Sequence, residues 1–249
     1  MAIAVNTFPL IVYASSGQFY LGADGGVSIA AIGDQNPQIT YYHSQITDAY
    51  PLNDTYESAG MIGLNAGYEW QGENLQPTIA IGLGAYGTPG NYSYDGQVTE
   101  TVVGSPSQSL YNYQFQVSSF RLMAETKLSW NLKYGITPLL DFGIGPAWNH
   151  FTDYEETVAS SNTNGYVSVP PFQSNTNTNF AYQVGVGLGY SFNIEPSSDH
   201  IQHDRLTLEY RYVNLGSNSF NTRGSAYPYA LDLGDLNTQE IFLNLTHAF

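Results

Sequence analysis

The sequence predicts an all-β fold: an eight-stranded antiparallel up-and-down barrel that crosses a membrane, with four long loops at one end. Three observations predict it. Apolar and polar residues alternate with period two in eight separate runs, and the connections between runs are alternately short and long. The polar face of those runs is rich in glycine and carries opposite charges in near balance. Composition agrees. Only 11% of the 249 residues are charged, against about 25% in an average soluble domain. With two lysines in all, Lys127 and Lys133, either Asn, Ser, Thr and Tyr wet the surface or much of it does not meet water.

Residues 19–31 set Phe19, Leu21, Ala23, Val27 and Ile29 against Tyr20, Gly22, Asp24, Gly26 and Ser28. In 59–70, Ile62, Leu64, Ala66, Tyr68 and Trp70 oppose Gly63, Asn65, Gly67 and Glu69. In 77–86, Ile79, Ile81, Leu83 and Ala85 oppose Thr78, Gly82 and Gly84. The run 113–130 ends with Phe120, Leu122, Ala124, Leu128 and Trp130 opposite Arg121, Glu125, Lys127 and Ser129. Its first part, Tyr113, Phe115 and Val117, has the other parity. That change marks Ser118–Ser119 as a bulge, or as the point where the strand passes from one environment to another.

The remaining four runs continue the pattern. In 138–148, Leu140, Phe142, Ile144 and Trp148 oppose Asp141, Gly143 and Gly145. In 180–192, alternate residues from Phe180 to Phe192 oppose Gln183, Gly185, Gly187, Gly189 and Ser191. In 205–213, Leu206, Leu208, Tyr210 and Tyr212 oppose Arg205, Thr207, Glu209 and Arg211. In 239–249, Ile241, Leu243, Leu245 and Phe249 oppose Glu240, Asn244 and Thr246. Long connections are expected at 32–58, 87–112, 149–179 and 214–238, and a further hairpin within 150–178 would raise the count to ten strands.

Two features orient the barrel. A narrow lumen has room for few side chains, which suits the glycines at 22, 26, 63, 67, 82, 84, 143, 145, 185, 187 and 189. Buried charges must be paired, and the same face carries Asp24, Glu69, Glu125, Asp141, Glu209 and Glu240 with Arg121, Lys127, Arg205 and Arg211. The opposite face is apolar, as hydrocarbon requires, and Trp70, Trp130, Tyr68, Tyr190 and Phe249 suit an aromatic girdle at the short-turn end. The alternative is a soluble barrel or sandwich with the apolar face inside.

Several pieces resemble the small outer-membrane β-barrels of Gram-negative bacteria, the OmpA-transmembrane and opacity-type group. They are the segment from Phe19 to Gly26, the segment from Leu208 to Tyr212 followed by Leu215-Gly216, and the last seven residues, Leu243 to Phe249. The resemblance implies residence in the cell outer membrane, contact with membrane lipid and lipopolysaccharide, and delivery by the barrel-insertion machinery. In that group a terminal aromatic with alternate apolar residues upstream resembles the insertion signal. Ile241, Leu243, Leu245 and Phe249 fit it, whereas His247 departs from it. Residues 18–249 are expected to form the barrel. Residues 1–17, which lack the basic start of a signal peptide, are expected to form a periplasmic arm of a mature chain. That arm packs on the barrel or adds as a strand to a neighbour, giving a homo-oligomer.

Function follows from charge and loops. The excess of 21 acids over six bases, a formal charge of −15, excludes nucleic-acid binding through a basic surface. The absence of cysteine excludes a disulfide scaffold or a thiolate metal site. The cluster of Asp24, Glu69, Arg121, Glu125, Lys127, Asp141, Arg205, Glu209 and Arg211 is expected to close the lumen with ion pairs; its alternative is a narrow, gated ion path. The long loops carry eleven acids with Arg223 as their base. Among them Asp153, Glu155 and Glu156, and Asp232 with Asp235, are candidate oxygen ligands for Ca²⁺, without EF-hand spacing. No other cofactor is expected.

Loop tyrosines, including Tyr41, Tyr50, Tyr56, Tyr92, Tyr94, Tyr111 and Tyr154, suggest an adaptable contact surface. His150 with Asp153, and His43 with Asp48, are the pairs a general-base enzyme would use, but no nucleophile motif accompanies them. His200 and His203, flanked by Asp199 and Asp204, are the remaining metal candidates. The reading is a non-enzymatic surface-interaction protein that displays acidic, Tyr-rich loops, with a narrow channel as the alternative.

Overall fold

A computed structural model describes residues 17–34, 36–41, 46–72, 76–102, 104, 108–159, 172–196, 201–222 and 230–249. Twelve strands form one sheet: β1 (Gly17–Ile32), β2 (Gln38–Tyr41), β3 (Ile46–Ala49), β4 (Tyr56–Trp70), β5 (Thr78–Gly87), β6 (Tyr92–Val102), β7 (Gln108–Ser129), β8 (Ile136–Val158), β9 (Phe172–Gln173), β10 (Asn175–Pro196), β11 (Ile201–Thr222) and β12 (Ala230–Ala248). Eight of them close a ring in the order β1-β4-β5-β7-β8-β10-β11-β12, and every pairing is antiparallel. The seam joins the first and last strands from Tyr20↔Ala248 to Ile32↔Leu236, and the Phe249 amide donates to the Phe19 carbonyl at 2.9 Å.

The outer wall carries a continuous apolar band. Phe19 to Ile29 on β1, Ile62 and Leu64 on β4, Leu83 on β5, Phe120 on β7, Phe142 on β8, Phe180 to Tyr190 on β10 and Ile241 to Leu245 on β12 present their alternate side chains outward. The band spans the roughly 9–11 residues per strand that a tilted strand needs to cross a bilayer. Its lower edge is aromatic. Phe19, Tyr68 and Trp70 touch edge to face at 5.0 and 4.9 Å, and Tyr190 and Phe249 are exposed there.

Above the band the wall continues, and both of its faces change. On β7 the inward residues run Ser129, Lys127, Glu125, Met123, Arg121, Ser119, and then Val117, Phe115, Tyr113, Tyr111, all buried. The outward residues run Leu128, Thr126, Ala124, Leu122, Phe120, and then Ser118, Gln116, Gln114, Asn112. The pairing of β7 with β8 passes through this level intact, with Ser119↔Asn149 next to Phe120↔Trp148; its one shift lies higher, between Gln114 and Gln116. Ser118–Ser119 is therefore not a bulge in β7. The pleat keeps its phase and the environments on its two sides exchange.

The connections expected to be long loops are thus largely wall. β5 resumes as β6, which pairs with the upper part of β7, while β8, β10, β11 and β12 run well above the band. A hairpin, β2–β3, is laid against β6, while residues 160–171, most of the span expected to hold a further hairpin, lie outside the described residues. The membrane ring keeps eight strands because β2, β3, β6 and β9 all lie above it. The N-terminal arm lies outside the described residues apart from Gly17, which opens β1.

Candidate functional site

Below the level where the faces exchange, the lumen holds a network of buried polar and charged groups. All nine residues of the expected charge cluster, and Glu240, are buried in it. Arg121 on β7 holds Glu240 on β12 through two parallel bonds of 2.8 and 2.7 Å. These strands are diametrically opposed in the ring, so the pair spans the lumen. Arg211 forms an ion pair with Asp141 at 2.9 Å and donates to Glu209 at 2.9 Å, and its guanidinium lies 4.6 Å from the ring centre of Tyr86 on the facing strand β5. Glu125 accepts from Tyr86 at 2.6 Å and from Gln183 at 2.7 Å. Lys127 sits among Glu209, Glu125 and Asp141.

The lower end is more loosely tied. Arg205 stands 3.8 Å from Glu69, which also accepts from Gln18 at 2.7 Å, and Asp24 accepts from Asn65 and Asn244 at 2.7 and 2.9 Å. Charged hydrogen bonds of this kind are the stronger ones, and buried charges need such partners. Glycine makes room for the large partners. A Cβ at Gly63 would stand 2.4 Å from the Tyr86 ring, and one at Gly145 would stand 1.9 Å from the Leu122 carbonyl. Tyr86 and Gln183 were absent from the expected cluster. Parity alone places both on the polar face, beside Gly84 and Gly185.

The upper lumen is apolar. Phe115, Phe151 and Phe220 pack on one another, with the Phe220 ring edge-on to both others at 5.1 Å, and Phe172 and Tyr154 extend the stack. Tyr113 donates to the Tyr50 carbonyl at 2.9 Å, Tyr94 to the Ala30 carbonyl at 3.1 Å, and Tyr92 to Ser28 at 2.8 Å. Burial pushes the phenols of Tyr94 and Tyr113 well above the usual tyrosine value. Tyr50, Tyr92, Tyr94 and Tyr111 are therefore plug residues and not displayed ones, and Tyr154 is half-buried; Tyr56 does face outward, 63% exposed. The aromatics turn inward because the wall above the band has water outside. Tyr42, Tyr166, Tyr227, Tyr229 and Arg223 lie outside the described residues.

The outer surface of this upper half is acidic. Asp34, Asp54, Asp95, Asp153, Glu155, Asp232 and Asp235 face outward, and Glu57 is half-buried. Burial, then Asp54 and Asp95, raise the Glu57 carboxyl above its ordinary value. Among the described residues no Lys or Arg lies above the band. A concavity of about 570 Å³ on the outside of β6, β7 and β8 is lined by Asn53, Asp95, Gln114, Asp153 and Glu155 among others. Asn53 donates to Asp95 at 2.6 Å and Gln114 to Glu155 at 3.1 Å.

The candidate cation ligands do not converge. Glu156 takes the Tyr154 hydroxyl, Glu155 takes Gln114, Asp232 caps the Gly234 amide and Asp235 takes Asn214. Among the described residues no group of three or more His, Asp or Glu is placed to hold a metal ion. The His150 ring meets Thr176 at 2.8 Å, Asp48 is approached by Tyr50 at 3.4 Å, and His43 and His200 lie outside the described residues. Asp204 bonds His247 at 2.8 Å, and His203 pairs through its backbone with Ala248. Ile241, Leu243, Leu245 and Phe249 lie exposed on the apolar band.

A family model described as the outer membrane protein beta-barrel domain matches residues 1–249. No curated protein matches the sequence. Three solved structures are similar in fold. Neisserial surface protein A is 11% identical, with 94% of this chain and 99% of that chain covered at a TM-score of 0.46. The outer membrane protein OprG from Pseudomonas aeruginosa is 12% identical, with coverages of 94% and 97% and a TM-score of 0.39. Ail, the attachment invasion locus protein of Yersinia pestis, is 13% identical, with coverages of 94% and 99% and a TM-score of 0.38.

Proposed function

The chain belongs to the family of outer membrane protein beta-barrel domains, and from that premise we propose that it is a closed, projecting surface-interaction protein that contacts other molecules through its acidic outer wall. It resides in the cell outer membrane. The observation that carries the reading is the exchange of both wall faces at one level. Below it the barrel is an anchor filled with ion pairs. Above it the same strands build a rigid post with an aromatic interior and an exterior of carboxylates and amides. A post of this kind costs little to hold in shape on contact, which favours binding. The charge of its upper wall favours cationic partners there. Barrel-insertion machinery, membrane lipid and lipopolysaccharide are the partners the location calls for. Self-assembly through residues 1–17 rests on a segment outside the described residues.

Two measurements test the reading. Proteoliposomes carrying the chain are expected to adsorb to a poly-L-lysine surface in a salt-sensitive way. The triple variant Asp95→Asn, Asp153→Asn, Glu155→Gln is expected to adsorb about tenfold less. In planar bilayers the same protein is expected to show no steady conductance, because a charged layer and an aromatic layer both obstruct the lumen. Steady single-channel steps from the unaltered chain, together with unchanged adsorption of the triple variant, would make the channel the better reading.

A further inference from the structure

The wall is irregular at the level where the faces exchange, between β5 and β6. β5 ends at Gly87 opposite Phe120, and β6 begins at Tyr92 opposite Val117. Residues 88–91 thus stand where β7 offers only Ser118 and Ser119 between the two ladders, and the Asn91 side-chain amide reaches on to Gln116. The Thr88 amide donates to the Ser119 carbonyl at 3.1 Å, and the Ser119 amide donates to the Thr88 hydroxyl at 3.0 Å. The outcome is a recess of about 360 Å³ on the outside, within the size range of small-molecule sites. Its floor is Ile62, Phe120 and Trp148, the last two rings stacked at 5.7 Å. Its upper rim is Thr88, Ser118 and His150. The Thr176 hydroxyl, 2.8 Å from Nδ1, fixes the imidazole in place.

We propose that this recess seats one outer-leaflet lipid with a phosphorylated head. Its chain lies on Ile62, Phe120 and Trp148, and its head meets Thr88, Ser118 and His150. Three observations support this occupant. The floor is continuous with the apolar band, so the outer leaflet is what covers it. The recess runs from apolar below to polar above, in the same sense as a lipid of that leaflet, with an indole at the boundary. Among its described lining residues there is no carboxylate, whereas the wall above carries acids throughout. The Ser118 hydroxyl and the imidazole are donors suited to a phosphate, while the Thr88 hydroxyl donates to the Ser119 carbonyl at 3.5 Å. A recess formed in advance by the wall also lowers the cost of immobilising a chain.

The test uses the refolded chain in detergent, mixed with phosphatidylglycerol or with an uncharged glycosyl diacylglycerol of the same chain length, and read by native mass spectrometry. One phosphatidylglycerol is expected to stay bound per chain, with the uncharged lipid held about tenfold more weakly. Gly87→Leu fills the recess from its floor. A Cβ there meets Phe120 and the Ser119 carbonyl at 3.6 Å, an ordinary contact, so the barrel is expected to fold and to lose the bound lipid. His150→Leu, at an exposed position, is expected to reduce phosphatidylglycerol retention to that of the uncharged lipid. Equal retention of both lipids by the unaltered chain overturns the proposal. So does equal phosphatidylglycerol retention by the unaltered chain and either variant.

Discussion

Arg121 and Glu240 reach each other from opposite walls, and neither has bulk water to fall back on. Arg121→Ala strands a buried carboxylate and is expected to cost about 3–5 kcal/mol, measured as a lowered urea midpoint in lipid vesicles. The double variant Arg121→Ala, Glu240→Ala is expected to recover a large part of that loss, since it is removal of one partner that leaves a charge uncompensated. The plug phenols make a prediction in pH. Tyr94 and Tyr113 hold their protons more tightly when folded than when unfolded. They therefore cost nothing below about pH 10 and withdraw stability as the pH rises past it, because the unfolded chain releases the proton first. In an alkaline absorbance titration part of the 21 tyrosines is expected to ionise with the chain folded, and the plug group only as it unfolds.

β7 is the element on which the reading from sequence went furthest and then stopped. Its alternation is visible from Tyr111 to Ser129 without interruption in the structure, because the side-chain period of a strand does not depend on what lies on either side. The parity of its charged residues was enough to put Arg121, Glu125 and Lys127 in the lumen. Of the two alternatives for the change of parity at Ser118–Ser119, the structure shows the passage from one environment to another and not the bulge, so Tyr113, Phe115 and Val117 are in phase with the rest of the strand and face the lumen. Which acid meets which base was not legible, since that depends on the stagger of strands far apart in sequence. The hairpin β2–β3 was hidden because four-residue strands carry too little pattern. The exchange predicts unlike costs for like side chains. Phe115→Ala opens a cavity in the plug and is expected to cost about 3–5 kcal/mol. Phe142→Ala, on the lipid side of the adjacent strand, leaves a gap that hydrocarbon can fill, and its cost is expected to be clearly smaller in the same unfolding assay.

For the whole molecule, the balance of charges divides by compartment. The lumen pairs six acids with four bases, while the described wall above the band holds acids and no Lys or Arg. The strong negative charge of the chain is therefore mostly directed outward, where it acts on partners and not on the fold. The two obstructing layers predict a graded response to opening. Removing either one alone, by Phe115→Ala or by Arg121→Ala, is expected to leave planar bilayers silent. Conductance is expected only when both are removed, if the barrel still folds by its gel mobility before heating.

The level at which the strand faces trade places acts as a waterline. Raising the barrel by one pleat would lift Phe120 and Trp148 into water, and lowering it would drag Gln116 and the carboxylates into oil, so either displacement is opposed from the outset. In a bilayer of the wrong thickness it is the lipid that must stretch or thin, while the protein keeps its draught.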